Sequence, residues 1–372
     1  MKRCGIFVFF DKQGLVGDYI ITLLKSLEDV INKLIIVING EIQIDERMKL
    51  YEYTESVYQR DNVGFDGGAY KDAFLHFLDN EELTKWDEIL LLNDTFYGPF
   101  FPWKDIFTLM CERACDFWGL SGHPGGVEEF LDGEIVSAHI QSYFIVIKRR
   151  MFLNPAFYKF WAELEYPESY KDAVRNFEIY FSEYFTKLGF QYDSWIEVQK
   201  ERLNKSDFQT TYNIETQITK LHFPVLKRKK YMLQYYLQLK KTFQYIDIST
   251  LYPLENILAD IYQRSINGEI RPYNPEQIIK FCDKYSEIYL FGKGEYAENI
   301  EQYLSDNGIV IAGNIVSKKE REINQRLFEI EEFEVKPWNG IIVALNQKHL
   351  MEVEEKIRKN IPFKQLIFPI YD

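Results

Sequence analysis

Short apolar runs of strand length alternate along the chain with longer stretches whose apolar residues recur every three or four positions. CGIFVFF (4–10) and KLIIVIN (33–39) are β-rich runs, and DYIITLLKSLEDVI (18–31) between them has helical periodicity. A glycine-rich loop leads into AYKDAFLHFL (69–78), a predicted helix, and DEILLLND (87–94) reads as a buried strand ending in polar residues. A helix near 104–114, a short strand DFWGL (116–120) and the strand QSYFIVI (141–147) follow. This alternation predicts an α/β layer fold around a mostly parallel sheet.

From 154 to about 280 the pattern becomes mainly helical, and FEIYFSEYFTKLGF (177–190) is an amphipathic segment that stops at Gly189. Alternation resumes with SEIYLFGKGEYAENIEQYL (286–304), IVIAGNIV (309–316), NGIIVAL (339–345) and QLIFPI (365–370). The expected organisation is an α/β domain over 1–225, a helical connecting region over 226–283, and a small Rossmann-like α/β domain over 284–372.

With 372 residues, 46% of them hydrophobic and 27% charged, the chain can bury a sizeable core. It contains no run of 18 apolar residues. Charge returns at Asp11 and Lys12, too early for a signal peptide, so a cytoplasmic protein is expected. Cys4, Cys111, Cys115 and Cys282 lack a CxxC spacing, which suits a reducing compartment. A net charge of −13 argues against a nucleic-acid partner. The acidity is uneven: LKRKKYMLQYYLQLKK (226–241) interleaves Lys227, Arg228, Lys229, Lys230, Lys240 and Lys241 with tyrosines, a pattern suited to an anionic membrane surface or to a solvated helix face.

Ligands of open α/β sheets sit beyond the carboxyl ends of the strands. Here those ends carry Asp11, Asn39 and Gly40, the loop RDNVGFDGG with Arg60, Asn62, Gly64, Asp66 and Gly67, and the pair Asn93 and Asp94. Glycines in such a loop let the main chain approach a ligand closely, although Gly also serves plain turns and Asp66 could simply cap the next helix. His139, Gln141 and Ser142 precede the 141–147 strand or open it; a lone His is usually structural and its chemistry also suits a metal, but contact with the donor or acceptor is the favoured reading for all three. In the last domain Gly292, Gly294 and Ala297 form a Gly-x-Gly-x-x-Ala turn. The acid that a dinucleotide fingerprint needs is replaced by Asn314 and Ser317, so no NAD is expected and an assembly or nucleotide-sensing role is favoured.

Together RDNVGFDGGAYKDA, ILLLNDTFYGPF, HIQSYFIVIKRRMF, FEIYFSEYFTKLGF and HFPVLKRK resemble, in order and spacing over about 1–265, the rhamnan synthesis protein F family of bacterial polysaccharide glycosyltransferases. The resemblance implies a GT-A-like nucleotide-sugar-binding domain with a helical extension. It implies a dTDP- or UDP-sugar donor, rhamnose first, and a growing lipid-linked glycan as acceptor at the inner face of the membrane, with a homo-oligomer possible.

On that reading the glycine loop, with Asp11, Asn39, Arg60, Asn62, Asp66 and Asn93, holds the donor. Asn93–Asp94–Thr95 stands where many such enzymes carry Asp-x-Asp, so Asp94, expected at the surface, holds Mg²⁺ or Mn²⁺ only in part. Without a metal, Arg60, Lys71 or Lys227 would supply the positive charge for the leaving diphosphate. Glu178 lies where the family keeps an acid and is the expected base for an inverting transfer, its pKa raised by Phe177, Phe181 and Phe185; Glu183 is the competitor. Rival classes are an NAD-dependent sugar-modifying enzyme and a non-catalytic scaffold of a polysaccharide-synthesis complex.

Overall fold

The computed structural model describes residues 1–78, 80–201, 214–228, 243, 245–247, 250–266, 275–318, 326–345 and 347–367. It divides into two compact units, Met1–Lys230 with Thr242–Asp260, and Tyr231–Lys241 with Ile261–Asp372. The stretch expected to form one connecting region, 226–283, is thus shared between them.

In the first unit the strands are β1 (Arg3–Phe9), β2 (Lys33–Asn39), β3 (Val57–Arg60), β4 (Glu88–Asn93), β5 (Phe96–Tyr97), β6 (Phe117–Gly119), β7 (Gly122–His123), β8 (Gly126–Glu128), β9 (Glu134–Val136), β10 (His139–Ile140), β11 (Phe144–Lys148), β12 (Tyr192–Ser194) and β13 (Leu226–Lys227). Seven of them form one sheet in the order β12-β6-β11-β4-β1-β2-β3. β1 pairs parallel with β2 on one side and β4 on the other, and β2 pairs parallel with β3. The chain therefore reverses its direction of travel across the sheet between β1 and β4, the topological switch point at which open α/β sheets form a crevice beyond the carboxyl ends of the strands. Both faces of these strands are covered, which is why they read as continuous apolar runs: Ile6, Phe7, Val8, Ile35, Ile36, Val37, Leu90 and Leu91 are all buried.

β11 runs against both neighbours, β4 and β6. Its direction brings the segment before it, residues 139–143, to the same sheet end as Asn93 and Asp94, and Asn93 N–H donates to the Tyr143 carbonyl at 3.2 Å. Segment 120–140, unassigned from the sequence, forms the short pairs β7–β10 and β8–β9. Their strands of two or three residues are too short to leave a periodic signal.

The glycine loop is shorter than expected. Its helix begins at Phe65 rather than 69, so Gly67 and Gly68 lie in the first turn, and Gly64 holds the left-handed backbone (φ 77°) just before it. These glycines allow close packing: a Cβ on Gly64 would stand 2.7 Å from Tyr166, one on Gly67 3.0 Å from Phe177, and one on Gly68 2.5 Å from the Val63 carbonyl. The helix continues as a π-helical stretch, Ala73–Phe77, and a second one, Ala173–Ile179, opens the helix that ends at Lys187. Tyr70, Phe74, Trp161, Phe177, Phe181 and Phe185 interlock between them in an aromatic layer of the core.

The second unit carries β14 (Glu287–Phe291), β15 (Gly313–Val316), β16 (Leu327–Glu329), β17 (Asn339–Val343) and β18 (Leu366–Ile367), all parallel, in the order β16-β15-β14-β17-β18. β16 was not legible in the sequence. At the Gly292 turn (φ 126°) a Cβ would lie 2.6 Å from the Ala344 carbonyl, and Asn314 donates to the Gly292 carbonyl at 2.9 Å. Where a dinucleotide fold would present an acid, this chain uses an amide to close its own loop.

Candidate functional site

The crevice beyond β1 and β4 gathers two groups of side chains. In the first, Asn93 is fixed by donors from Thr95 (N–H 3.1 Å, hydroxyl 2.6 Å) and gives its amide to Asp66 Oδ2 at 2.5 Å. Asp66 therefore faces the crevice and does not cap its helix. Burial first, and then the charge of Asp94, push its carboxyl up to about 7 against the pull of the Asn93 hydrogen bond. Burial likewise raises Asp94 to about 6, opposed by Arg228, with Asp11 and Asp260 adding to the rise. Asp11 holds its own turn, accepting from Gln13 N–H at 2.9 Å and Leu15 N–H at 3.1 Å.

Asp94 is not the surface residue expected. It is 6% exposed, and Arg228 donates to its carbonyl at 2.9 Å and to its carboxylate at 3.0 Å. Arg228 also reaches Asp260 at 3.3 Å and lies over the Tyr19 ring at 4.4 Å, while Tyr97 donates to Asp260 at 2.6 Å. Assigning Arg228 to a membrane-facing patch is thereby corrected, since it is buried. Lys229, Lys230, Lys240 and Lys241 lie outside the described residues. Arg228 escaped the sequence reading because it sits in a basic run whose members look alike along the chain, and its partners Asp94 and Asp260 are distant in sequence.

The second group centres on Glu178. Ser142 donates to its Oε2 from both N–H (2.7 Å) and hydroxyl (2.6 Å), and His139 Nε2 stands 3.7 Å from Oε1. The other imidazole nitrogen, Nδ1, faces the Ser137 carbonyl at 2.8 Å; a carbonyl only accepts, so Nδ1 carries a proton. Burial acts to raise the Glu178 pKa, but the neighbouring His139 imidazole, the charge of Lys227 and the two hydrogen bonds from Ser142 outweigh it and hold the group at about 2. The expectation that phenylalanines raise it is corrected: Phe177, Phe181 and Phe185 are buried in the core layer, while Glu178 points to polar donors. Glu183 is paired with Lys187 on the helix surface.

Lys227 links the groups. Its ammonium lies 4.1 Å from the centre of the Tyr143 ring, and its charge lowers the pKa of both Asp66 and Glu178. A cavity of about 260 Å³ opens beside Glu178, lined by His139, Gln141, His123, Glu128, Phe130 and Tyr170. Gln141 accepts from Ser121 at 2.6 Å, and His123 stacks on His139 with ring centres 5.0 Å apart. His123, Glu128, Phe130 and Tyr170 were missed because they come from short strands and a loop that carry no motif.

Other expected donor contacts are committed elsewhere. Arg60 binds Asp72 (2.5 Å), Asn39 (2.7 Å) and the Val63 carbonyl (2.8 Å), and buried Asn39 also donates to the Phe65 carbonyl at 3.2 Å. Lys71 donates to the carbonyls of Leu164 (2.5 Å) and Ala162 (3.3 Å). These residues brace the loop, and the space over Gly64 and Gly67 is filled by Tyr166 and Phe177 rather than open to a ligand. Asn62 is exposed. Among the described residues no group of three or more His, Cys, Asp or Glu side chains is arranged to hold a metal ion, and no helix is long and apolar enough to cross a membrane.

The sequence model of the rhamnan synthesis protein F family matches residues 34–286. The parallel-rich α/β sheet places these polar side chains at the β1/β4 switch point, where ligands of open α/β sheets bind. The chain belongs to the rhamnan synthesis protein F family. It is 24% identical over 189 residues to the uncharacterized protein y4gN of Sinorhizobium fredii, the match covering 50% of this chain and 46% of the relative, so the chain spans about half the length of that relative. Among solved structures it is similar to the apo glycosyltransferase GlyE of Streptococcus pneumoniae (11% identity, 97% of this chain and 99% of that one, TM-score 0.34). It is also similar to core-mannan synthase A of Aspergillus fumigatus in its Mn/GDP form (11% identity, 46% and 68%, TM-score 0.27). At these scores the family assignment rests on the sequence.

Proposed function

We propose that the chain transfers a sugar, rhamnose first, from a dTDP- or UDP-linked donor to a hydroxyl of a growing lipid-linked glycan, with inversion. The observation that carries this reading is the convergence at one sheet end of two carboxylates of raised pKa, a lysine, and a cavity floored by an ionised glutamate. The donor diphosphate lies toward Lys227, which offsets charge as it develops on the leaving group. The acceptor sugar enters the cavity, where Phe130 and Tyr170 offer ring faces and Gln141 and Glu128 offer polar contacts. Its hydroxyl oxygen attacks the anomeric carbon, the bond from that carbon to the diphosphate oxygen breaks, and the hydroxyl proton passes to Glu178.

Asp66 and Asp94 fit a divalent cation such as Mg²⁺ or Mn²⁺. Their raised pKa values mark two carboxylates crowded in a poorly solvated place, which a hard cation relieves, and such ions often take only one or two carboxylates and complete their shell with phosphate and water. Bound there, the ion would stabilise the departing diphosphate.

A second assignment of the base has its own observation in favour. Asp66 is poised at about 7, close to where a general base works best, whereas a carboxylate held at about 2 is a weak one. In that version Asp66 takes the proton and Glu178 orients Ser142 and His139. A pH–rate profile separates them: Asp66 as base gives a rate that rises through about pH 7, Glu178 gives a profile flat from pH 5 upward. The function itself is tested by transfer assays with a panel of dTDP- and UDP-sugars. A protein that binds none of them and releases no nucleoside diphosphate is not a transferase, and the scaffold reading then takes its place. Membrane docking through Lys229, Lys230, Lys240 and Lys241 stays part of this proposal, to be followed by sedimentation with anionic vesicles at low and high salt.

A further inference from the structure

A larger cavity, about 560 Å³, lies next to the Glu178 cavity, and Ile179 lines both. Its size is within the range of small-ligand sites. The π-helical turn Ala173–Ile179 connects the two, presenting Val174 and Glu178 to the smaller cavity and Arg175 and Asn176 to the larger.

The lining defines the chemistry of the occupant. Glu134, Glu163, Glu165 and Glu183 contribute four carboxylates; Glu134 holds Arg175 through two hydrogen bonds of 3.0 and 2.6 Å, Glu163 pairs with Lys159 at 3.8 Å and Glu183 with Lys187, which leaves the lining acidic by one charge. With its cations already engaged by carboxylates, the lining offers a phosphate, a nucleotide or an anionic headgroup little attraction. Carboxylates and the Asn176 amide are instead suited to hydroxyl groups, because a carboxylate accepts from each and the amide can donate or accept. Tyr180, 44% exposed, adds a ring backed by Phe160 at 5.9 Å, a platform for the apolar face of a sugar ring.

We propose that this cavity is a distal subsite for the uncharged saccharide part of the acceptor, one or more sugar units away from the hydroxyl that reacts at Glu178. The inference rests on the glycosyltransferase reading for its location relative to the reaction, and on the lining alone for its ligand. Growing chains are thereby bound more tightly than single sugars, while the acceptor's lipid phosphate is kept away from this face.

The test uses uncharged rhamnotetraose as probe, with polyglucuronate and spermine as charged controls. Saturation-transfer NMR on the full chain is expected to detect rhamnotetraose and not polyglucuronate, with Tyr180→Ala weakening binding about tenfold, the loss of one good contact. In transfer assays the same variant should raise KM for a tetrasaccharide acceptor about tenfold and leave a monosaccharide acceptor within about twofold. Asn176→Ala, which leaves the Phe160–Tyr180 stack intact, should give the same split, and thermal melts check that both variants fold. Equal changes for both acceptor lengths, polyglucuronate binding as well as the neutral chain, or spermine displacing the tetrasaccharide as a tighter ligand would each overturn the subsite. Binding lost in Tyr180→Ala, with no transfer to any acceptor by the unaltered protein, would uphold the saccharide site and sink the transferase reading instead.

Discussion

Asp66 and Glu178 are carboxylates of one crevice, each partly buried, and they titrate at opposite extremes, about 7 and about 2. Burial acts on both in the same direction. The difference lies in the partners: Asp66 has one amide donor and is raised by a second acid, Asp94, while Glu178 has two donors from Ser142 and an adjacent imidazole; Lys227 lowers both. Donor count and neighbouring charge, not depth, decide which acid keeps its proton near neutrality. Groups driven apart in this way are how one site holds acid and base roles at a single pH.

The comparison can be broken most forcefully at Arg228, which sustains the Asp66–Asp94 side. Arg228→Met should leave Asp94 and Asp260 buried without their cation and destabilise the first unit by about 3–5 kcal/mol, read as a lowered urea midpoint. Little change would mean that the pair is solvated in solution. On the other side, Glu178→Gln keeps size and should lower turnover by about 10²-fold while donor affinity holds. An unchanged rate moves the base to Asp66.

Stability against pH sharpens the contrast because the two slopes have opposite sign. The folded protein holds the Asp66 proton after the unfolded chain has released its own near 3.8, so this group makes stability fall as pH rises from about 4 to about 7. Glu178, depressed from 4.5, contributes stability above that value which is lost as pH falls toward about 2. Urea midpoints from pH 3 to 8 should show Asp66→Asn flattening the neutral side by about 4 kcal/mol and Glu178→Gln the acid side by about 2 kcal/mol. The smallest effect concerns the cation. Mn²⁺ at ten times its Kd should stabilise the protein by about 1.4 kcal/mol and remove the Asp66 slope, and Asp66→Asn with Asp94→Asn should abolish both. Equal stabilisation of that double variant would place the ion elsewhere.

Much of the framework was legible because β1, β2 and β4 are covered on both faces and so read as unbroken apolar runs. The carboxyl ends of those runs pointed to Asp11, Asn93 and Asp94, which do come together at one end of the sheet. What was illegible depends on contacts distant in sequence. The donors that lower Glu178 are 36 residues away at Ser142, and Arg228 meets Asp94 across 134 residues. No window on the chain contains either pair. Gly64 and Gly67 misled for a related reason: a glycine that makes room for Tyr166 or Phe177 looks, in one dimension, like a glycine that makes room for a phosphate.

The reversed direction of β11 has a consequence for how the molecule comes into being. During synthesis β1 to β4 emerge first and can assemble from parallel neighbours, yet the wall that carries Ser142 reaches the crevice only after Phe144–Lys148 has been made and has zipped backward along β4. Arg228 leaves the ribosome later still, so on a nascent chain Asp94 waits without its cation. An interrupted product that ends between these points would own the first half of the crevice and lack the second.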